Sequence, residues 1–188
     1  MSDPSTLVAI SLTFVIAGGV KGLIGLGLPS LSLGLLTATL DLPTAMALMI
    51  APSFFTNLYK ASLGANAYSI LVRIWPFLQI ETATVLLGAT ALTRVDLNIL
   101  TALLGLLLIA YRGLNLAGIR FKISFYAELW MGLVLGAING VLTGMTGSFA
   151  VPGVMFLQGL GLPRDLLVQA MGILFIASTV ALAFSLGT

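Results

Sequence analysis

Ala17-Gly18-Gly19-Val20-Lys21-Gly22-Leu23-Ile24-Gly25-Leu26-Gly27-Leu28-Pro29, closed by Leu40-Asp41-Leu42-Pro43, is a glycine-broken apolar stretch, and the chain carries a second one. The counterpart runs from Gly136 through Asn139, Gly140, Val141, Leu142, Thr143, Gly144, Met145, Thr146 and Gly147 to Pro152, and closes on Leu160-Gly161-Leu162-Pro163. Leu-x-Leu-Pro precedes a new apolar run each time, and proline suits a first helical turn, where its missing N–H has no partner to lose. Copies lying roughly 120 residues apart are long halves of a duplicated protein rather than solenoid units. The segments that hold them, 7–40 and 126–158, are each too long for one membrane crossing and too short for two.

Composition says where such stretches live. Of 188 residues, 59% are hydrophobic and 7% charged, with a mean hydropathy of +1.15, whereas a soluble domain carries about a quarter charged residues. The chain is therefore a bilayer protein. The absence of cysteine and histidine removes disulfides, thiol nucleophiles, Cys/His zinc sites, haem ligation and His-based triads. No enzyme, cofactor or metal is expected. The net charge of +2 comes from scattered basic residues, not from the clustered face of a nucleic-acid binder. Residues 1–6 contain Asp3 and no Lys or Arg, so the first apolar run reads as a membrane segment and not as a cleavable signal.

Runs of about 20 apolar residues place further spans at 43–64, 70–92, 96–116 and 165–186. The expected fold is an all-α polytopic membrane protein of two related halves, each opening with a Gly/Pro-broken, re-entrant pair of helices. Residues 1–125 form the first repeat and 126–188 a partial, truncated second one. If both broken segments are re-entrant, Lys60, Arg73, Arg112, Arg120, Lys122 and Arg164 share one side and only Arg94 lies opposite. Positive charge marks that side as cytoplasmic, and the repeats are then inverted. If each broken segment crosses once, the repeats are parallel and Arg164 moves outside. The first placement also gathers Tyr59, Tyr68, Tyr111, Tyr126, Trp75 and Trp130 into one interfacial belt.

Irregular backbone at membrane depth is tolerated only where protein buries it or where water and substrate line it. Paired broken segments in corresponding positions therefore point to a transporter site. The spacing of four in Gly132, Gly136, Gly140 and Gly144, and in Gly18 and Gly22, also serves close helix packing. The tips Gly25-Leu26-Gly27-Leu28-Pro29 and Gly144-Met145-Thr146-Gly147-Ser148, where the period breaks, are expected to be unwound and to face the ligand. Lys21 stands deep in the first segment, where a charge is costly without a partner or water. An anion bound there would gain from helix N-terminal N–H groups. Glu81 is the one carboxylate deep in an apolar span. It either pairs with Lys21 or carries a coupling proton. Asn57 follows Ser53 by four residues on one helical face and lines the expected pathway, whereas Asp41 and Asp96, just ahead of helices, read as N-terminal caps.

These residues resemble the TauE/SafE sulfite exporter family. The matching pieces are Ala17 to Gly27 with Pro29, the Pro52 to Asn57 stretch, Gly140 to Gly147 with Pro152, and Gln169-Ala170-Met171-Gly172 through Phe175. The resemblance implies a secondary permease of the cell (cytoplasmic) membrane for a small anion, sulfite or an organosulfonate. The binding residues would be Lys21, Gly25, Gly27, Pro29, Asn57, Thr143, Gly144, Thr146, Gly147 and Ser148, with Glu81 the proton-coupling residue. Family members usually run longer, so another copy of the chain or spans outside this sequence would complete the pathway. The alternative is a non-transporting membrane subunit that scaffolds a partner chain. Expected partners are the small anion and the lipid bilayer, not nucleic acid.

Overall fold

Residues 4–24, 28–118, 122–148 and 152–187 are described by the computed structural model, and among them every regular element is helical. In chain order these are α1 (Pro4–Ile24), α2 (Leu28–Leu36), α3 (Leu42–Ser62), α4 (Ala67–Ala89), α5 (Leu97–Leu116), α6 (Glu128–Thr146), α7 (Gly153–Gly159) and α8 (Arg164–Gly187). Short 3-10 turns, Thr90–Thr93 and Phe125–Ala127, follow α4 and precede α6. Long, short, long is thus the order on both sides of the α4–α5 pair. Among the described residues, the helices over Ala67–Thr93, Leu97–Leu114, Phe125–Thr146 and Arg164–Gly187 are long and apolar enough to cross a membrane. α3 is of similar length but interrupts its apolar sequence with Pro52, Ser53, Thr56, Asn57 and Lys60, and turns Ser53, Asn57 and Lys60 inward with Met46 and Met49.

Local chemistry sets the helix ends. The Asp41 carboxylate accepts from the N–H and the hydroxyl of Thr44, at 3.1 and 3.0 Å, and Pro43 follows in the first turn. Those bonds favour the ionised form, side-chain bond foremost, and hold the Asp41 carboxyl below its ordinary pKa. Asp96 accepts from the N–H of Asn98 at the start of α5. Both aspartates are caps. α6 stops because Gly147 turns left-handed, at φ 69°, where a side chain would clash with its own carbonyl. Its N–H donates to Thr143 O at 2.7 Å, closing the last turn.

The glycine ladder decides the packing. A Cβ on Gly136 would lie 2.8 Å from the Phe77 carbonyl oxygen, one on Gly140 2.2 Å from that of Glu81, and one on Gly144 2.2 Å from that of Val85. Later rungs meet later residues, so α4 and α6 run parallel with their backbones in contact. Such proximity needs small residues. Gly88 repays the ladder from the other helix, pressed on Val141 O. Gly144 is therefore the last rung of a helix. The expected unwinding from Gly144 is corrected: Gly144, Met145 and Thr146 are helical, and only Gly147 and Ser148 of that tip leave the helix. In the first half, Gly25, Leu26 and Gly27 lie outside the described residues, Leu28 and Pro29 already belong to α2, and a Cβ on Gly18 would meet no described atom within 4 Å. The spacing of Gly18 and Gly22 therefore does not place Gly18 in a tight contact.

After the break the chain turns back. Gly153, at the start of α7, lies against Asn139, and Phe156 lies over Gly132 and stacks on Phe77 at 4.8 Å. The Ile123 N–H, ahead of α6, donates to Gly159 O at 2.9 Å, at the end of α7. α6 and α7 thus make a hairpin that returns to the end from which it started. An Arg73–Glu128 ion pair of 2.6 Å ties the start of α4 to the start of α6 at that same end. α8 leaves from there, antiparallel to α3: the Gln169 side-chain amide donates to Ala61 O at 2.9 Å and Gly64 O at 3.3 Å.

Candidate functional site

The middles of four helices carry buried polar side chains: Ser53 on α3, Glu81 on α4, Asn139 on α6 and Ser178 on α8, each 0% exposed. Glu81 is their hub. Its Oε1 accepts from Asn139 Nδ2 at 2.8 Å and from the Ser178 hydroxyl at 2.5 Å. Asn139 Oδ1 accepts the Gly153 N–H at 2.8 Å. An N–H can only donate, so this bond fixes which end of the amide faces Glu81. Glu81 Oε2 has no hydrogen-bond partner among the described residues. The Ser178 hydroxyl also reaches Leu174 O at 3.0 Å, and its single proton serves one acceptor at a time. α4, α6, α7 and α8 are thereby joined through one carboxyl.

A second cluster closes the break. The Thr143 hydroxyl donates to Ser148 O at 3.1 Å, and that of Thr146 donates to Leu142 O at 2.7 Å while accepting the Ser148 N–H at 3.3 Å. Both hydroxyl protons are spent on holding the backbone. Ser148 Oγ is buried and unpartnered among the described residues. Gly147 is seated on α2 and α3, since a Cβ there would lie 2.7 Å from Met46 Cγ on α3 and 3.3 Å from Leu33 Cδ2 on α2.

The expected site residues thus separate. Thr143, Thr146, Gly147 and Ser148 converge at the break; Gly144 faces away from it, onto α4. Asn57 is fully buried on the inward stripe of α3, one helical turn from Ser53. Lys21 falls near the end of α1, with its side chain outside the described set, as are Gly25 and Gly27. Pro29 lies in the first turn of α2. Glu81 bonds to neutral partners, an amide and a hydroxyl, in the described structure. Sequence reading does not single out Asn139 as a site residue; its signal is an amide in the middle of an apolar, glycine-laddered helix. A cleft of about 300 Å³ between Arg73, Phe77, Phe125, Glu128 and Phe156 is mainly apolar and lies at the helix ends, so the anion donors do not converge there.

Long apolar helices around a buried polar centre, with one helical hairpin that returns on itself, define a multi-pass helical membrane protein. The chain belongs to the sulfite exporter TauE/SafE family, whose model matches residues 10–188. It is accordingly a membrane protein of a sulfur-anion transporter family. No curated protein and no solved structure matches it.

Proposed function

We propose that this chain is a secondary permease for sulfite or a small organosulfonate in the cell membrane, with Glu81 carrying a coupling proton. The observation that carries the reading is the break at Gly147 and Ser148, a helix end buried in the bundle, with a Ser148 hydroxyl that has no partner among the described residues, and seated on α2 and α3. Polar backbone of this kind at depth is stable only where a polar guest or protein satisfies it. Ser148 donates its hydroxyl to the anion, Gly147 lets the backbone approach, and Gly25 and Gly27, which lie outside the described residues, serve as further backbone donors. Lys21 supplies the compensating charge. Thr143 and Thr146 hold the break in shape, and Asn57 lines the approach along α3. Residues 1–125 and 126–188 act as two inverted halves.

Proton coupling is supported by the surroundings of Glu81. An ionised carboxylate buried without a cation is costly, whereas a protonated one needs no cation. Both forms find partners here, because Ser178 can donate to the carboxylate or accept from the acid while donating to Leu174 O.

The test is flux of sulfite and of a short alkanesulfonate into proteoliposomes containing this chain alone. Lys21→Ala is expected to abolish flux while the protein still inserts; undiminished flux removes Lys21 from the mechanism. Folded wild-type protein that moves neither anion faster than empty liposomes favours the scaffold reading.

A further inference from the structure

We propose that Asn139 is a positioning residue that couples the protonation of Glu81 to the re-entrant helix α7. The inference rests on the reading of Glu81 as the proton carrier and adds what that proton moves. Asn139 spends its amide on two bonds of equal length, Nδ2 to Glu81 Oε1 and Oδ1 from the Gly153 N–H, both 2.8 Å. Gly153 opens α7, so one side chain is the direct link between the carboxyl and the returning arm of the hairpin. The contact is close on both sides. A Cβ on Gly153 would fall 2.9 Å from Asn139 Oδ1, so only glycine leaves room for the amide.

The link is sensitive to charge. A hydrogen bond to an ionised carboxylate is roughly twice as strong as one to a neutral acid. With Glu81 ionised, Asn139 is held firmly and pins the start of α7. Uptake of a proton weakens that bond, and the Ser178 hydroxyl turns to Leu174 O, so the pin loosens. The net change is one proton taken up by one carboxylate oxygen, with no other group altered. Charged groups on the surrounding elements stand apart from Glu81: Arg73 on α4, Glu128 on α6, and Arg164 and Asp165 on α8 all lie toward the basic end. Lys60 of α3 lies by Gly172 on α8. The break following α6 is bonded separately, through Thr143 and Thr146, so α7 can shift without α6 unravelling.

The chain has no cysteine, so two introduced thiols give a clean pair of spin labels. With cysteines at Tyr68 before the core of α4 and Gln158 on α7, both exposed, distance distributions in liposomes are measured across an acid-to-alkaline series. The labelled protein, otherwise wild type, is expected to show two populations whose ratio follows pH. Glu81→Gln holds the acid population at every pH. Asn139→Leu, of similar volume, and Gly153→Ala, which displaces the amide without deleting a polar group, leave a ratio that pH does not change. The alanine variant keeps the test available where the leucine variant fails to fold. A wild-type distribution insensitive to pH overturns the proposal, and so does an Asn139→Leu or Gly153→Ala protein that follows pH as wild type does. Anion flux measured in the same liposomes separates the two readings: pH-dependent distances without flux remove the permease and leave the coupling standing.

Discussion

Ser148 and Thr143 lie five residues apart and carry the same functional group, yet their hydroxyls have different work. The Thr143 proton is spent on Ser148 O, and a buried hydrogen bond contributes about 0.5–1.5 kcal/mol net. Ser148 Oγ has no described partner, so removing it costs the fold little. Thr143→Val should therefore lower the melting temperature in detergent. Ser148→Ala should leave it in place and raise the KM for the anion several-fold. A Ser148→Ala protein with wild-type KM would take that hydroxyl out of the site. At this scale the sequence is partly legible. Asp41 and Asp96 read as caps because the capping signal is local, an acidic residue immediately ahead of an apolar run. The roles of Thr143 and Thr146 are not legible, because the acceptor of a hydroxyl depends on where the next residues turn. Asn139 stays hidden for a related reason: its partners lie 58 residues back, on another helix, and 14 ahead, across the break.

Among elements, the four-residue glycine ladder announces a close helix contact without naming the partner. Period and spacing identify a face; they carry no information on what the face meets. The structure supplies α4, parallel to α6, as the partner on which Gly144 packs. The break was legible as a region, since the four-residue glycine period ends at Gly144, Gly147 falls out of step with it, and Pro152 follows. Its position at Gly147 depends on one left-handed residue. Not all glycines carry the same weight. Gly140→Ala would place a methyl 2.2 Å from Glu81 O and 2.1 Å from Thr84 Oγ1, forcing the helices apart; overpacking of this kind costs about 1–3 kcal/mol or more. Gly105, inside α5, has no described atom within 4 Å of such a methyl, and alanine in a helix interior gains roughly 0.5–1 kcal/mol over glycine. Thermal melts of the two variants should shift in opposite directions, Gly140→Ala down and Gly105→Ala level or up. A Gly140→Ala protein as stable as wild type would contradict the parallel α4–α6 contact.

For the whole molecule, the question is which way the bundle stands in the bilayer, and the hairpin places the charges that bear on it. Because α7 returns to the start of α6, the first turn of α8 with Arg164 joins Lys60, Arg73, Arg112 and Lys122 at one end, and Arg94 stays at the other. Arg120 lies outside the described residues. A crossing segment in place of the hairpin would have moved Arg164 across, leaving a weaker asymmetry. Basic loops are retained on the cytoplasmic side during insertion, so the end holding the α3–α4 turn and the start of α8 should face the cytoplasm. The native absence of cysteine makes single-cysteine proteins direct reporters. Thiols at Ser62, the last residue of α3, and at Asp165 in α8, both exposed, should react with a membrane-impermeant maleimide only in inside-out vesicles. A thiol at Thr93, exposed beyond α4, should react only in right-side-out ones. Labelling of Asp165 on the same side as Thr93 would mean that residues 147–163 cross the membrane, and the inverted arrangement of the two halves would fall with the hairpin.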